Sequence, residues 1–271
     1  MTADSVLDRI VADVLRRLDA TAAAPGLEED ALKAVEERRA TGIRSLSEAL
    51  SRPGVTLIAE CKKASPSAGV IRRDFDAAAL AAAYAAGGAS AISVVTEPAF
   101  FKGRVDWLGE VRQAVELPVL RKDFIVSRRQ LLETAVLGAD AVLLIARILD
   151  EETLADLLET ASGLEIEEVL EVFSDEDPAA VVKSGAQILG VNARDLATFE
   201  VRLDRVEALV GELPEDRLRV AESGIHGAED LQRLLGVGYD GFLVGEHLVR
   251  AEDPEQAVRE LIGIASLDAH A

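Results

Sequence analysis

The sequence predicts an α/β protein whose fold is a (β/α)8 TIM barrel with an N-terminal helical extension. Eight short apolar runs alternate with amphipathic stretches of helix length, which is the pattern of βα units around a parallel sheet. The length of 271 residues fits one such barrel. Four of the helical stretches pass through glycine into the next run, where a left-handed residue commonly ends a helix. We therefore expect a single domain over residues 1–271, with a doubly wound open sheet as the alternative topology.

The first element is the helical extension, over residues 1–52. Apolar residues recur at helical spacing from about Ser5 to Ser51, with one interruption at Pro25 and Gly26. The Arg-Pro-Gly run at 52–54 cannot continue a helix and closes the extension.

The apolar runs that follow predict the strands, and the amphipathic stretches predict the helices between them. Strands are expected at residues 55–60, 91–95, 118–121, 141–145, 169–172, 188–191, 218–221 and 242–244. The helices between them include residues 77–86, 105–115, 129–137, 151–160, 178–183 and 228–235. Hydrophobic residues make up 49% of the chain and aromatic residues only 4%, so we expect a core of Ala, Val, Leu and Ile.

The formal net charge of −20 argues against nucleic acid as a partner, because clustered Lys and Arg hold phosphate backbones. Only six of the 29 basic residues are lysines, which together with the abundant carboxylates suggests adaptation to a high-salt cytoplasm. An ordinary acidic protein is the alternative. The lone Cys61 cannot form an internal disulfide, and the sequence contains neither a membrane-spanning run nor a signal pattern. We expect a cytoplasmic protein without a membrane partner, as a monomer or weak homo-oligomer.

Several charged or amide residues lie at the carboxyl ends of the predicted strands. In a (β/α)8 barrel these ends share one rim, where active sites are built. The residues are Glu60 and Lys62 at the end of strand 1, Lys122 at the end of strand 3, Glu171 at the end of strand 5, Asn192 and Arg194 after strand 6, and Glu222 after strand 7. Such a mixed acid and base cluster can bind a doubly anionic substrate and exchange protons with it.

Side chains alternate between the two faces of a strand, so Glu60 and Lys62 are expected to project together. Cys61 and Arg121 should then point outward, towards the helices, which makes Cys61 a packing residue. Ala193 should likewise point away from Asn192.

Small residues follow strands 7 and 8, at Ser223, Gly224 and Gly245. Backbone N–H groups can approach an anion there, which is the usual phosphate position in this fold. Glu246 follows directly, and its carboxylate is expected to turn away so that only its N–H serves the ligand. His226 lies beside this loop and is expected to have a surface or packing role.

Four motifs follow one another along the chain: IAECKKASPS at 58–67, LRKDF at 120–124, GVNARDL at 190–196 and AESGI at 221–225. In this order they resemble the motifs of the indole-3-glycerol-phosphate synthase family. The resemblance covers the whole chain, including the helical extension.

This resemblance implies that 1-(2-carboxyphenylamino)-1-deoxyribulose 5-phosphate is converted to indole-3-glycerol phosphate, carbon dioxide and water in tryptophan biosynthesis, without cofactor or metal. It implies that Lys122 is the general acid of ring closure and that Glu171 acts with Lys62 in dehydration. Glu60 and Asn192 would surround the lysines, and Glu222 would complete the polar ring. The resemblance further implies that the substrate contacts Ser65, Phe101, Phe124, Leu143, Arg194 and Leu243.

Phe173 stands where the family often carries a polar residue, and Ala193 where Asn or Ser is common, so the shape of the rim stays open there. Another phosphosugar barrel, such as phosphoribosylanthranilate isomerase or the tryptophan synthase α subunit, is an alternative. The isomerase needs a Cys/Asp pair, and Cys61 is expected to point the wrong way. A non-catalytic barrel that binds a ligand or partner is the remaining alternative.

Overall fold

All eight predicted strands form in the computed structural model, which describes residues 5–173, 183–195 and 200–268, with side chains up to residue 263. They close into one barrel of parallel strands in which each strand pairs with its neighbours along the chain and β1 pairs with β8. The barrel excludes the open sheet. The strands are β1 (Leu57–Cys61), β2 (Ala91–Val95), β3 (Val119–Lys122), β4 (Ala141–Ile145), β5 (Glu167–Phe173), β6 (Ile188–Asn192), β7 (Leu218–Glu222) and β8 (Gly241–Val244).

Helices precede the barrel and alternate with its strands. The extension contains α1 (Val6–Ala20), α2 (Leu27–Thr41) and α3 (Leu46–Leu50). The barrel helices are α4 (Ala77–Gly87), α5 (Trp107–Ala114), α6 (Arg128–Val136), α7 (Glu151–Gly163), α8 (Leu203–Leu209), α9 (Ala228–Val237), α10 (Glu246–Arg250) and α11 (Pro254–Asp268). The predicted helix over 178–183 lies, apart from Lys183, outside the described residues. A hairpin of Ala64–Ser65 and Gly69–Val70 after β1 was not predicted.

Local sequence signals fix the ends of these helices. The side chain of Asp76 accepts a hydrogen bond from the backbone N–H of Ala79, 2.9 Å away, and so caps the start of α4. Gly88 and Gly238 follow α4 and α9 with φ of 102° and 107°. Both angles are left-handed, as the helix-to-strand glycines predicted.

The apolar core has two layers separated by the strands. One layer packs the outward strand residues against the helices, and Cys61 belongs to it, beside the carbonyl of Ala77. The other fills the barrel interior with residues such as Ile58, Leu120 and Val169. The predicted outward direction of Cys61 is therefore confirmed, and burial raises the pKa of its thiol.

The helical extension holds the barrel at both ends. Leu7, Ile10 and Val14 of α1 pack with the apolar residues of the carboxyl-end loops, while α2 runs along α6. At the amino end, Leu50 of α3 packs so close to β8 that a Cβ at Gly241 would lie 2.7 Å from its Cδ2.

Glu167, the first residue of β5, ties α3 to the barrel. Its carboxylate accepts hydrogen bonds from the backbone N–H groups of Leu46 and Ser47 and from the hydroxyls of Ser45 and Ser47. These N–H groups belong to the first turn of α3 and have no partner within the helix. Within the described ranges, no helix combines the length and the hydropathy needed to span a bilayer.

Candidate active site

A cavity of about 1010 Å³, open to solvent, lies at the carboxyl end of the barrel. Every site residue predicted from the sequence lines it, except Glu222, which is buried behind Lys122. The lining includes Glu60, Lys62, Ser65, Phe101, Lys122, Phe124, Leu143, Glu171, Asn192, Arg194, Ser223, Gly224, Leu243, Gly245 and Glu246. Residues from seven of the barrel strands and from the loops after the strands therefore converge on one space, as the rim of this fold predicts.

Lys122 lies between two buried carboxylates. Its Nζ is 2.9 Å from Oε2 of Glu171, to which it donates a hydrogen bond, and 3.0 Å from Oε2 of Glu222. Burial by itself lowers the pKa of Lys122, but the negative charges of Glu171, Glu222 and Glu60 outweigh burial and raise the pKa above the ordinary lysine value. The side chain therefore carries its proton at neutral pH, and its exposed part faces the cavity.

At Glu222, burial outweighs the effect of the nearby opposite charge. Its burial and the charge of Glu171 raise its pKa well above the ordinary value, although Lys122 acts against this. Gly190 provides the volume for this carboxyl group, because a Cβ at position 190 would collide with Oε1 of Glu222. Glu171 lies close enough to Glu222 for a hydrogen bond between the two carboxyl groups, and this contact also raises the pKa of Glu222.

Lys62 forms a second ion pair, with Oε1 of Glu60. The two side chains project together, as the alternation along β1 predicted. Gly245 gives this pair its space, since a Cβ there would collide with Oε1 of Glu60 and lie 3.0 Å from its Cδ. Gly245 lines the cavity, but the close neighbour of a Cβ there is a carboxylate of the site, and phosphate binding at Gly245 stays a prediction.

The loops after β7 and β8 form the polar end of the cavity. Ser223 and Gly224 are consecutive left-handed residues, with φ of 66° and 74°. The carboxylate of Glu246 accepts hydrogen bonds from Arg250, 3.0 Å and 2.8 Å away, so it is directed along α10, as expected. Arg194 lines the same cavity, and its backbone N–H donates to Oδ1 of Asn192 at 2.9 Å.

The apolar end of the cavity is formed by two aromatic rings and aliphatic side chains. The rings of Phe101 and Phe124 have centroids 6.0 Å apart and are tilted by 40°. Leu143 and Leu243 line the cavity with them. An aromatic ligand ring can pack against these walls, while the lysines and glutamates face its substituents.

Phe173 and Ala193, the two residues that depart from the family pattern, lie in different layers of the apolar core. Phe173 is buried in the barrel interior, and the guanidinium of Arg147 lies 4.4 Å from its ring centroid. Ala193 packs in the outer apolar layer, so its predicted direction away from Asn192 is confirmed. Arg121 also points outward, donating to the carbonyl of Gln130 and to the hydroxyl of Thr134.

Some cavity residues were missed by the sequence reasoning. His226 is exposed, as expected, but it also lines the cavity. His247, two residues after Gly245, lines it too, and the logic that selected Glu246 could have found it. The remaining missed residues are Pro66, Ser67, Val95, Asp123, Ile145, Ile225 and Val244.

The family model for indole-3-glycerol phosphate synthase matches residues 7–261. Among curated relatives of that name, the one from Rhodopirellula baltica is 48% identical over 208 residues, covering 77% of this chain and 80% of the relative. The one from Salinibacter ruber is 49% identical over 218 residues, covering 80% and 81%. The one from Mycolicibacterium gilvum is 43% identical over 259 residues, covering 96% and 93%.

Solved structures agree on the fold. A thiamine phosphate pyrophosphorylase from Pyrococcus furiosus superposes with a TM-score of 0.61 at 21% identity, covering 78% of this chain and 95% of that one. A tryptophan synthase α-subunit from the same organism gives 0.58 at 15% identity, covering 77% and 98%. These identities support the fold alone. The sequence relatives decide the family, and the chain belongs to the indole-3-glycerol phosphate synthases.

Proposed function

We propose that this chain converts 1-(2-carboxyphenylamino)-1-deoxyribulose 5-phosphate to indole-3-glycerol phosphate with loss of carbon dioxide and water, in tryptophan biosynthesis. The observation that carries the proposal is the position of Lys122 between Glu171 and Glu222, in a cavity with an aromatic end and an end formed by the loops after β7 and β8. The substrate has a matching order of groups: an aromatic carboxylate, a ketone and a phosphate.

Lys122 is proposed as the general acid of ring closure. As the aromatic carbon attacks the ketone carbon, the new C–C bond forms and the carbonyl oxygen takes a proton from the ammonium group. The carboxyl group then leaves as carbon dioxide, and its bonding electrons restore the aromatic ring. The carboxylates beside Lys122 support this role, because they keep the amine protonated before the substrate binds.

The dehydration is proposed to use Glu171 with Lys62. One group accepts a proton from the ring CH2 carbon beside the nitrogen, and the other donates a proton to the departing hydroxyl of the neighbouring ring carbon. Water leaves, the carbon–carbon double bond of the indole forms, and the ring nitrogen keeps its proton. The ion pair of Lys62 with Glu60 orients the lysine, and Asn192 lines the same wall. Glu222 is proposed to hold the Lys122 ammonium in place.

The two ends of the cavity are proposed to orient the substrate. Backbone N–H groups around Ser223, Gly224, Gly245 and Glu246 would hold the phosphate, with Arg194 nearby. Phe101, Phe124, Leu143 and Leu243 would enclose the anthranilate ring, and Ser65 would line the entrance.

The cellular setting is also a proposal. A net charge of −20 favours a small-molecule substrate held in a local basic site over nucleic acid. We propose that the enzyme works in the cytoplasm, without a membrane partner, as a monomer or weak homo-oligomer.

Incubation of the purified protein with the carboxyphenylamino substrate tests the proposal. We expect indole absorbance and fluorescence to appear together with one carbon dioxide per product. The matched control is Lys122→Met, which removes the ammonium group while keeping much of the side-chain length. Tight binding without product in the parent protein would instead favour a non-catalytic barrel.

A further inference from the structure

The loop between β2 and α5 contains a buried charge that has no place in the proposed chemistry. Residues 97–103, here called the Phe101 loop, present the Phe101 ring to the cavity. Its first residue, Glu97, has a fully buried side chain and does not line the cavity. A buried carboxylate is costly unless hydrogen bonds compensate it, so its partners indicate its role.

The partners of Glu97 are the backbone N–H groups of its own loop. Oε1 accepts a hydrogen bond from the N–H of Ala99 at 2.9 Å, and Oε2 accepts from Phe100 at 2.7 Å and Phe101 at 3.0 Å. The N–H of Gly103 donates to the backbone carbonyl of Glu97 at 2.7 Å. Glu97 therefore holds the start, middle and end of the loop.

Gly103 shows how tightly the loop closes. A Cβ at this position would lie 2.5 Å from the backbone carbon of Thr96 and 2.8 Å from the nitrogen of Glu97. The loop folds back on its own first residues, and Phe101 lies inside this closed turn. The backbone on both sides of the Phe101 ring is therefore hydrogen-bonded to Glu97.

The helical extension contacts the same carboxylate. Arg17 of α1 has Nη2 at 3.2 Å from Oε1 of Glu97, while its Nε donates to Asp13 at 2.8 Å. Another residue of α1, Arg9, lies over the ring of Phe100 at 5.8 Å. Helix α1 of the extension therefore contacts the Phe101 loop in two ways, through the Arg17–Glu97 ion pair and through Arg9 over the Phe100 ring.

The second aromatic wall is connected behind the cavity. The hydroxyl of Thr96 donates to Oδ2 of Asp123 at 2.6 Å, and Oδ1 of Asp123 accepts the N–H of Phe124 at 2.9 Å. Residues next to Glu97 thus link the Phe101 wall to the Phe124 wall.

We propose that Glu97 is a positioning residue for the Phe101 ring. Through the Arg17–Glu97 ion pair, helix α1 takes part in positioning this aromatic wall of the cavity. The inference rests on the proposed function, since that function supplies the aromatic ring that the wall receives. Loss of the acceptor frees three N–H groups, lets the loop relax and moves Phe101. Small displacements of a binding wall have large effects on ligand affinity and alignment.

The test measures binding of a substrate analogue whose ketone is reduced to an alcohol, which cannot cyclise, by isothermal titration calorimetry. Glu97→Gln keeps the size of the side chain but turns an NH2 group towards the loop N–H groups. We expect it to raise the Kd of the analogue by about tenfold, as for loss of charged hydrogen bonds. The inhibition constant of inorganic phosphate should stay unchanged, because the phosphate end does not use this loop.

Arg17→Gln tests the contribution of the extension. It should raise the Kd of the analogue by roughly threefold, because the guanidinium of Arg17 is partly exposed and solvent weakens its interaction with Glu97. This effect should disappear in a Glu97→Gln background. Arg16→Gln is the matched control, since Arg16 lies on the same helix and its observed ion pair is with Asp13. Backbone amide exchange at 99–101 should become faster in Glu97→Gln and Arg17→Gln and stay unchanged in Arg16→Gln.

An unchanged Kd in Glu97→Gln, or an equal loss of analogue and phosphate binding, would overturn the proposal. If Glu97→Gln does not fold, Arg17→Gln tests the proposal through the Kd of the analogue and the amide exchange at 99–101. Failure of the proposed function would look different: the parent protein would not turn over the substrate, or would not bind the analogue. In that case amide exchange alone tests whether Glu97 holds the loop.

Discussion

Gly245 and Glu60 occupy adjoining volumes across the β8–β1 seam of the barrel, and a Cβ on Gly245 would collide with Oε1 of Glu60. From the sequence, bulk at position 245 is expected to crowd the phosphate and raise the KM. The structure adds a second effect: Gly245→Ala displaces Glu60 and, with it, Lys62. We expect kcat to fall by about tenfold or more, as for misplaced catalytic groups.

Steady-state kinetics with kcat and KM resolved checks this prediction. Shortening the neighbour, in Gly245→Ala with Glu60→Asp, should recover part of the lost kcat. Gly236→Ala is the control, because a Cβ there meets nothing within 4 Å. A raised KM with unchanged kcat would assign Gly245 to phosphate binding alone.

Lys122→Ala should lower kcat far more than it weakens substrate binding. Its proton is needed mainly in the transition state, and general acid catalysis typically contributes about 10²–10⁴-fold. Removing the ammonium also takes away the cation that Glu171 and Glu222 both contact. Single-turnover measurements at saturating substrate separate chemistry from binding. Equal turnover in variant and parent would remove Lys122 from the mechanism.

Glu222 gives the folding stability a defined pH dependence. Its folded-state pKa is raised, so the folded protein holds a proton that the unfolded chain releases above the ordinary value of 4.5. Its contribution to stability is therefore lost as pH rises from that value through the folded pKa. Glu222→Gln should remove this loss, and its advantage over the parent should grow with pH.

Urea unfolding at several pH values measures the difference in free energy of unfolding between Glu222→Gln and the parent, provided that both have the same m-value. Glu246→Gln is a suitable control, because Glu246 pairs with Arg250 on the surface of α10. A Glu222→Gln variant that is equally destabilised at every pH would show that Glu222 is ionised in the folded protein.

Glu167→Ala should reduce the free energy of unfolding without changing kcat. The carboxylate holds the first turn of α3 through Leu46 and Ser47, and loss of such a helix cap costs about 1–2 kcal/mol. Because α3 lies at the amino end of the barrel, the cavity is not affected. Glu48→Ala is the control, because Glu48 is an exposed carboxylate of the same helix α3, and reduced kcat in Glu167→Ala would contradict this separation.

The net charge of −20 predicts that salt stabilises the protein. The screening length falls from about 10 Å at 0.1 M salt to about 3 Å at 1 M, which weakens repulsion between surface carboxylates. We expect the thermal unfolding midpoint and the activity to increase with KCl over this range. Maximal activity in low-salt buffer would show an ordinary acidic protein instead.

The sequence predicted the barrel because apolar runs and strand alternation are local properties. The same alternation placed Glu60, Lys62 and Lys122 on one rim and turned Cys61 and Arg121 outward. It could not reveal Glu97 or Glu167, whose partners are backbone N–H groups selected by the closed fold. A charged residue beside a strand looks the same in sequence whether it meets water or caps a buried turn. The collision between Gly245 and Glu60 also depends on closure, which brings the last strand beside the first.

The anchoring of α3 has a consequence for how the chain is made. The helix is held by Glu167 on β5 and lies against β8 through Leu50, and both partners are synthesised after it. On the ribosome, α3 therefore cannot complete its docking until the last strand has emerged. A helix made before the barrel strands is fully secured only after all of them, so its docking marks completion of the nascent barrel.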